Sequence, residues 1–193
     1  MVSPRIGVLA LQGGVREHAD MLESLGVAVV PVRHAGDLAA IDGLVLPGGE
    51  SSTIDRLLRV FSLAEPLREC LRCGLPALGT CAGLITLATQ IVDPAPGQGS
   101  LGVVDMEVRR NSFGPQVNSA VERVDTAFGP VEAAFIRAPE VLTVGEGSKI
   151  VARREGAIVG VETPSALAVS FHPELTGDTT VHERFLSKVT WNS

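Results

Sequence analysis

Short apolar blocks recur through the first half of the chain, each followed by a stretch with helical spacing. Ile6, Val8, Leu9 and Leu11 fill most of residues 5–11, and similar runs occupy 27–32, 43–46 and 75–79. Runs this short, bounded by Gly or Pro, predict strands buried on both faces. Between them, Val15, Ala19, Leu22 and Leu25 recur at three- and four-residue intervals and stop at Gly26, which predicts a helix over 15–25. Residues 52–61 and 64–73 form a further helical region that ends at Gly74. Strand, helix, strand succession places parallel strands in one sheet with helices on both faces, an α/β architecture.

The texture changes at Pro94-Ala95-Pro96-Gly97-Gln98-Gly99, where Pro and Gly mark turns. The segments after it are shorter and alternate, predicting extra strands over 102–109, 118–124, 132–136, 141–144, 149–153, 157–162 and 166–171. A closing helix is expected over 179–189, with Asp178 as a candidate cap. No internal repeat or long linker divides the chain, so a single domain over 1–193 is expected.

Composition narrows the function. The chain has 193 residues, 45% hydrophobic and 20% charged, which excludes wholesale disorder. A net charge of −6 and the lack of any long Lys/Arg cluster argue against nucleic acid as a partner. No apolar stretch approaches the roughly 20 residues a membrane helix needs. The N-terminal run reads as a first strand rather than a signal peptide, so a cytoplasmic location is expected. Three cysteines, an odd and sparse set, fit a reducing compartment better than a disulfide framework.

Three segments carry candidate chemistry. Gly79-Thr80-Cys81-Ala82-Gly83 follows an apolar strand and precedes an apolar helix, the context of a nucleophile elbow with cysteine as the nucleophile. Glycines on either side let the chain turn sharply, and the Ala82 N–H is left facing the substrate as an oxyanion donor. A helix starting beyond Cys81 also favours thiolate. The bland alternative is a small buried hydrophobe at a tight turn. Ser170-Phe171-His172-Pro173-Glu174 ends the last expected strand, and Pro173 biases His172 toward extended backbone. Residues i and i+2 then point the same way, so Glu174 is expected to orient His172 and His172 to activate a thiol; a surface turn is the alternative. Leu46-Pro47-Gly48-Gly49-Glu50-Ser51-Ser52 ends the third strand, where paired glycines permit N–H groups to aim outward as an oxyanion hole, with Ser51 or Ser52 as a helix cap. All three segments sit at carboxyl ends of strands, where such sheets bind ligands. By contrast, Cys70-Leu71-Arg72-Cys73 lacks partners for a metal site and ends a helix, where thiolate is disfavoured.

With these segments in place, the chain resembles the class I glutamine amidotransferases, and among them the glutaminase subunits of pyridoxal 5'-phosphate synthases. The matching motifs run almost end to end, from Gly7 to Gly13 and Arg16-Glu17-His18 through Arg110-Asn111-Ser112-Phe113-Gly114 and Phe135 to Pro139 to Phe171 through Thr176. The resemblance implies a flavodoxin-like fold and a Cys81, His172, Glu174 triad. It also implies glutamine contacts from Gly48, Gly49, Glu50, Ser51, Arg110, Ile136 and Arg137, with Gly49 and Ala82 as the oxyanion hole. It implies hydrolysis of L-glutamine without metal or organic cofactor, and ammonia passed to a synthase subunit that builds pyridoxal 5'-phosphate from two sugar phosphates. Two positions depart from the pattern, Pro115 where a basic residue is usual and Thr86 on an apolar helix face. A glutaminase serving another pathway, or a noncatalytic redox-sensing protein of the same fold, are the alternatives the sequence leaves open.

Overall fold

The computed structural model describes residues 3–112 and 120–189. The expected first-half alternation is present as β1 (Arg5–Leu9), α1 (Val15–Ser24), β2 (Ala28–Val32), β3 (Gly43–Leu46), α2 (Ser51–Val60), α3 (Ala64–Arg72), β4 (Ala77–Thr80) and α4 (Ala82–Leu87). Parallel ladders join β2 to β1, β1 to β3 and β3 to β4, and the late strand β12 (Ala166–Val169) pairs parallel to β4.

Beyond β12 the sheet continues through antiparallel pairings with β11 (Ala157–Glu162), β10 (Lys149–Arg154), β7 (Ala120–Thr126) and β8 (Gly129–Phe135). A branch leaves β11 through β9 (Glu140–Val144) to β6 (Val104–Arg109) and β5 (Ala88–Ile91). The last of these was not expected: α4 stops after six residues, and the chain turns at Ala88 into a strand. The first two residues of the strand expected over 118–124 lie outside the described residues, as do Phe113, Gly114 and Pro115. The closing helix α5 is shorter than its pattern, Thr180–Leu186. Asp178 sits one residue outside its cap position, Thr179, yet still accepts the Thr180 N–H at 2.9 Å.

Side-chain alternation in the strands explains the layering. Ile6, Val8, Val45, Leu78, Leu167 and Val169 point to one face, where Leu22 of α1 and Val181 and Phe185 of α5 cover them. Leu9, Leu44, Leu46 and Ala168 point to the other, under Ile54 and Leu58 of α2, Leu67 and Leu71 of α3 and Leu84 of α4. β3, β4 and β12 are buried on both faces, whereas β2, expected to be the same, is an edge strand buried only at Val32; the carboxyl ends open on one side, which is where every candidate segment lies. Thr86, the polar departure within α4, is buried and satisfied by donating to the Ala82 carbonyl at 2.8 Å. No helix among the described residues is long and apolar enough to cross a membrane.

Candidate active site

Cys81 sits between β4 and α4 with φ 48° and ψ −102°, a left-handed conformation that L residues rarely adopt. Two local features force it. The Cys81 N–H is tied to the Val169 carbonyl of β12 at 2.8 Å. The first turn of α4 then crosses the sheet so closely that a Cβ on Gly83 would lie 2.0 Å from the Leu46 carbonyl oxygen. A glycine at that position is therefore a packing requirement, and the chain must bend at Cys81 to reach it. The bend delivers a largely buried Sγ, 3.9 Å from the Ile136 carbonyl, into a cleft of about 260 Å³.

His172 and Glu174 meet as expected, with His172 Nδ1 2.8 Å from Glu174 Oε1. The route differs from strand alternation. β12 ends at Val169, and Pro173–Leu175 form a single 3-10 turn that folds the carboxylate back under the ring. The His172 N–H donates to the Ala134 carbonyl at 2.8 Å, anchoring the backbone from β8. Burial alone would disfavour the imidazolium, but hydrogen bonds to Cys81 and Glu174 and their charges outweigh it and lift the His172 pKa to about 10. Burial likewise opposes the Glu174 charge, and the His172 hydrogen bond and the nearby His18 overcome it, so the carboxyl is held below its usual range.

The loop after β3 supplies the facing wall. Gly49, Glu50 and Ser51 line the cleft, whereas Gly48 lies beneath it, packed against the His172 ring. A Cβ on Gly49 would fall 2.4 Å from Gln12 Oε1, and that same oxygen accepts the Glu50 N–H at 2.8 Å. The helix cap is neither serine: Glu50 caps α2, its carboxylate accepting from the Ser52 and Thr53 N–H groups. A carboxylate there satisfies two orphan amides and faces the positive helix end. Burial opposes its charge, but these bonds and those from the two hydroxyls bring the Glu50 pKa down to about 2. Glu50 Oε1 also receives Arg110 at 3.1 Å, and Arg110 reaches Gln98 at 2.8 Å. Arg110, Ile136 and Arg137 all line the cleft, so the structure brings every sequence-predicted site residue to its surface except Gly48 and Glu174, which lie beneath it against His172.

Gln12, Ile85 and Asn111 also line the cleft and were not singled out by residue type. A second group lies beneath it: His18 of α1, His182 of α5 and Thr80 are fully buried, and His18 is hydrogen-bonded to both of the others. Among the described residues no group of His, Cys, Asp or Glu is arranged to hold a metal. Cys70 and Cys73 are free thiols at the end of α3, remote from the cleft lining.

Several comparisons bear on this geometry. The chain is 54% identical over 192 residues to a protein of Frankia casuarinae named "Pyridoxal 5'-phosphate synthase subunit PdxT", covering 98% of this chain and 96% of that one. A protein of the same name from Cutibacterium acnes is 49% identical over 198 residues, covering 98% of each. A solved structure described as a crystal structure of glutamine amidotransferase superposes with a TM-score of 0.90 at 42% identity, covering 95% of this chain and 98% of that one. A family model matches residues 8–191, a span that holds the elbow, the capped loop and the His172-Glu174 turn, and the chain belongs to the SNO glutamine amidotransferase family.

Proposed function

We propose that this chain is the glutaminase subunit of a pyridoxal 5'-phosphate synthase, acting as one glutaminase domain in the cytoplasm and hydrolysing L-glutamine to L-glutamate and ammonia. The observation that carries the chemistry is the convergence of three strand ends on one cleft: Cys81 after β4, His172 after β12 and the Gly49 loop after β3. The name shared by the Frankia and Cutibacterium relatives carries the pathway.

In this reading Cys81 gives its proton to His172, and the sulfur attacks the side-chain amide carbon of glutamine. The oxygen becomes an oxyanion facing the backbone N–H groups of Gly49 and Ala82. His172, kept protonated by Glu174, returns a proton to the nitrogen, ammonia departs and a γ-glutamyl thioester remains. Water, deprotonated by the same imidazole, hydrolyses the thioester and regenerates the thiol. Glutamine is an amino-acid zwitterion, and the cleft offers charges of both signs: Glu50 for the ammonium, Arg110 and Arg137 for the α-carboxylate. The ammonia passes to a synthase subunit docked on this one, because a gas-like neutral product released into water would be protonated and lost to the coupled reaction.

The test is glutamate release from glutamine with and without the synthase subunit, with Cys81→Ala as control. Release stimulated by the synthase and lost in Cys81→Ala supports the triad and the partner. Release undiminished in Cys81→Ala removes the triad.

A further inference from the structure

The cleft chemistry uses Cys81, His172 and Glu174, yet the only fully buried histidines among the described residues, His18 and His182, lie outside it. Burying two imidazoles side by side is costly unless their hydrogen bonds are specified. His18 Nδ1 lies 2.8 Å from His182 Nε2, and His18 Nε2 lies 3.0 Å from Thr80 Oγ1 and 3.4 Å from Glu174 Oε2. Glu174 Oε1 is taken by His172, and Glu174 Oε2 has no hydrogen-bond partner meeting ordinary geometry among the described residues. His18 Nε2 is thus beside the second oxygen of the triad carboxylate, close enough for electrostatic support though its hydrogen bond is made with Thr80.

The tautomer follows from counting protons. A proton on His18 Nδ1 would leave the Nε2 lone pair facing an ionised carboxylate. It would also force His182 to carry its proton on Nδ1, a buried atom with no partner among the described residues. A proton on His18 Nε2 instead points positive hydrogen at Thr80 with Glu174 Oε2 alongside it, and lets His182 Nε2–H donate to His18 Nδ1. That arrangement leaves the His182 Nδ1 acceptor and the Thr80 hydroxyl hydrogen without partners among the described residues, but it avoids both a buried unpaired His182 N–H and a nitrogen lone pair held against an ionised carboxylate. Thr80 Oγ1 also accepts the Gly48 N–H at 3.0 Å. One imidazole therefore touches both the carboxylate that orients His172 and the hydroxyl that holds the glycine packed under His172.

We propose that His18, protonated on Nε2 and held in that tautomer by His182, is a positioning residue of the glutaminase: it supports the Glu174 carboxylate and, through Thr80, the Gly48 loop. This rests on the triad reading above. His18 touches neither substrate nor the reacting sulfur, so its effect travels through Glu174. The groups facing this cluster are His172 and Cys81 across the carboxylate, Glu17 of α1, and His182 and Asp178 from the α5 side. Burial keeps both buried histidines neutral, with the His18 pKa lowered and that of His182 down to about 3, so each acts as a dipolar donor rather than a counter-charge.

The experiment compares His18→Ala and His18→Gln with the unmodified chain, all in complex with the synthase subunit. Loss of the hydrogen-bond partner behind a metal-bound side chain typically costs about 10- to 100-fold in activity, and an effect at the lower end of that range is expected for the partner behind Glu174. His18→Ala is expected to lower kcat by about tenfold with KM for glutamine changed less than threefold. The acidic limb of kcat/KM should move to higher pH, since Glu174 loses a group that favours its charge. His18→Gln, whose amide N–H reaches the same region, should recover most of kcat and return the limb. Nitrogen-detected NMR of the unmodified complex should find His18 protonated on Nε2, a readout that survives if His18→Ala fails to fold. An Nδ1-protonated His18 overturns the proposal, as does a folded His18→Ala with unaltered kcat and acidic limb. If the unmodified complex releases no glutamate, the glutaminase reading fails first and on its own terms.

Discussion

Gly48→Ala is the most economical test of how tightly the loop and the triad are packed together. Its φ lies outside the left-handed region, so alanine adds no backbone strain and the whole effect is steric. The new Cβ would stand 2.3 Å from His172 Cε1 and 2.8 Å from Nδ1, whereas ordinary contact begins near 3.4 Å, so ring or loop must shift by about 1 Å. The ring cannot yield without stretching its 2.8 Å contact with Glu174, and the loop cannot yield without stretching the Gly48–Thr80 and Gly14–Gly48 hydrogen bonds, both 3.0 Å. Misplacement of a catalytic group by about 1 Å costs roughly 100-fold in rate, and overpacking of a filled site costs about 1–3 kcal/mol. The expected result in a coupled glutamate-release assay is a kcat about 100-fold down. The Tm should fall by only about 2–12 °C, from about 2–4 °C per kcal/mol for a chain of this size. A folded Gly48→Ala with kcat within about threefold of the unmodified chain would refute the claim that Gly48 is present to make room for His172.

Other perturbations probe separate parts of the account. Cys81→Gly and Cys81→Ala should both abolish glutamate release. The glycine variant should nonetheless melt higher, because relief of about 1–3 kcal/mol of strain at φ 48° exceeds the roughly 0.5–1 kcal/mol glycine entropy cost; equal or reversed Tm values would deny the strain. Glu50→Ala removes the α2 cap and the Arg110 partner, so stability should drop by about 0.5–2 kcal/mol by urea unfolding while KM for glutamine rises more than kcat falls. Since Glu50 titrates near 2 when folded, its stabilising share is present at neutral pH and disappears as pH falls from about 4.5 toward 2. His182, with a folded pKa of about 3, takes up a proton in the unfolded chain first. Stability should thus decline as pH drops from 6.5 toward 3, and His182→Gln should flatten that decline in urea titrations.

The parallel half of the fold was readable because each strand announces itself twice, as a short apolar run and as a boundary with Gly or Pro. The elbow was readable for the same reason, since Gly79 and Gly83 bracket a cysteine at a strand-to-helix turn. The pairing of His172 with Glu174 was legible as proximity but not as conformation: Pro173 stops the strand and starts a 3-10 turn, and i to i+2 spacing does not separate the two. The cap went to Glu50 rather than the expected serines because a longer carboxylate one residue earlier reaches two amides at once. The early end of α4 at Ala88 was hidden because the mostly apolar run from Ala82 continues into Ala88 with no Pro or Gly to mark the stop. His18 and His182, separated by 164 residues, could not be joined by local pattern, although a signal existed. His18 falls on the Val15, Leu22, Leu25 stripe of α1 and His182 beside Val181 in α5, and a polar residue on a core-facing stripe calls for a buried partner.

The central claim is that Cys81 is the nucleophile of a glutamine-specific site. Its most direct test is covalent capture: incubation of the synthase complex with an electrophilic glutamine analogue, followed by peptide mapping of the adduct. The account predicts a single modification on Cys81, prevented by excess glutamine and absent from Cys81→Ala, with Cys70 and Cys73 unlabelled. Labelling distributed over the α3 thiols, or indifferent to glutamine, would contradict it.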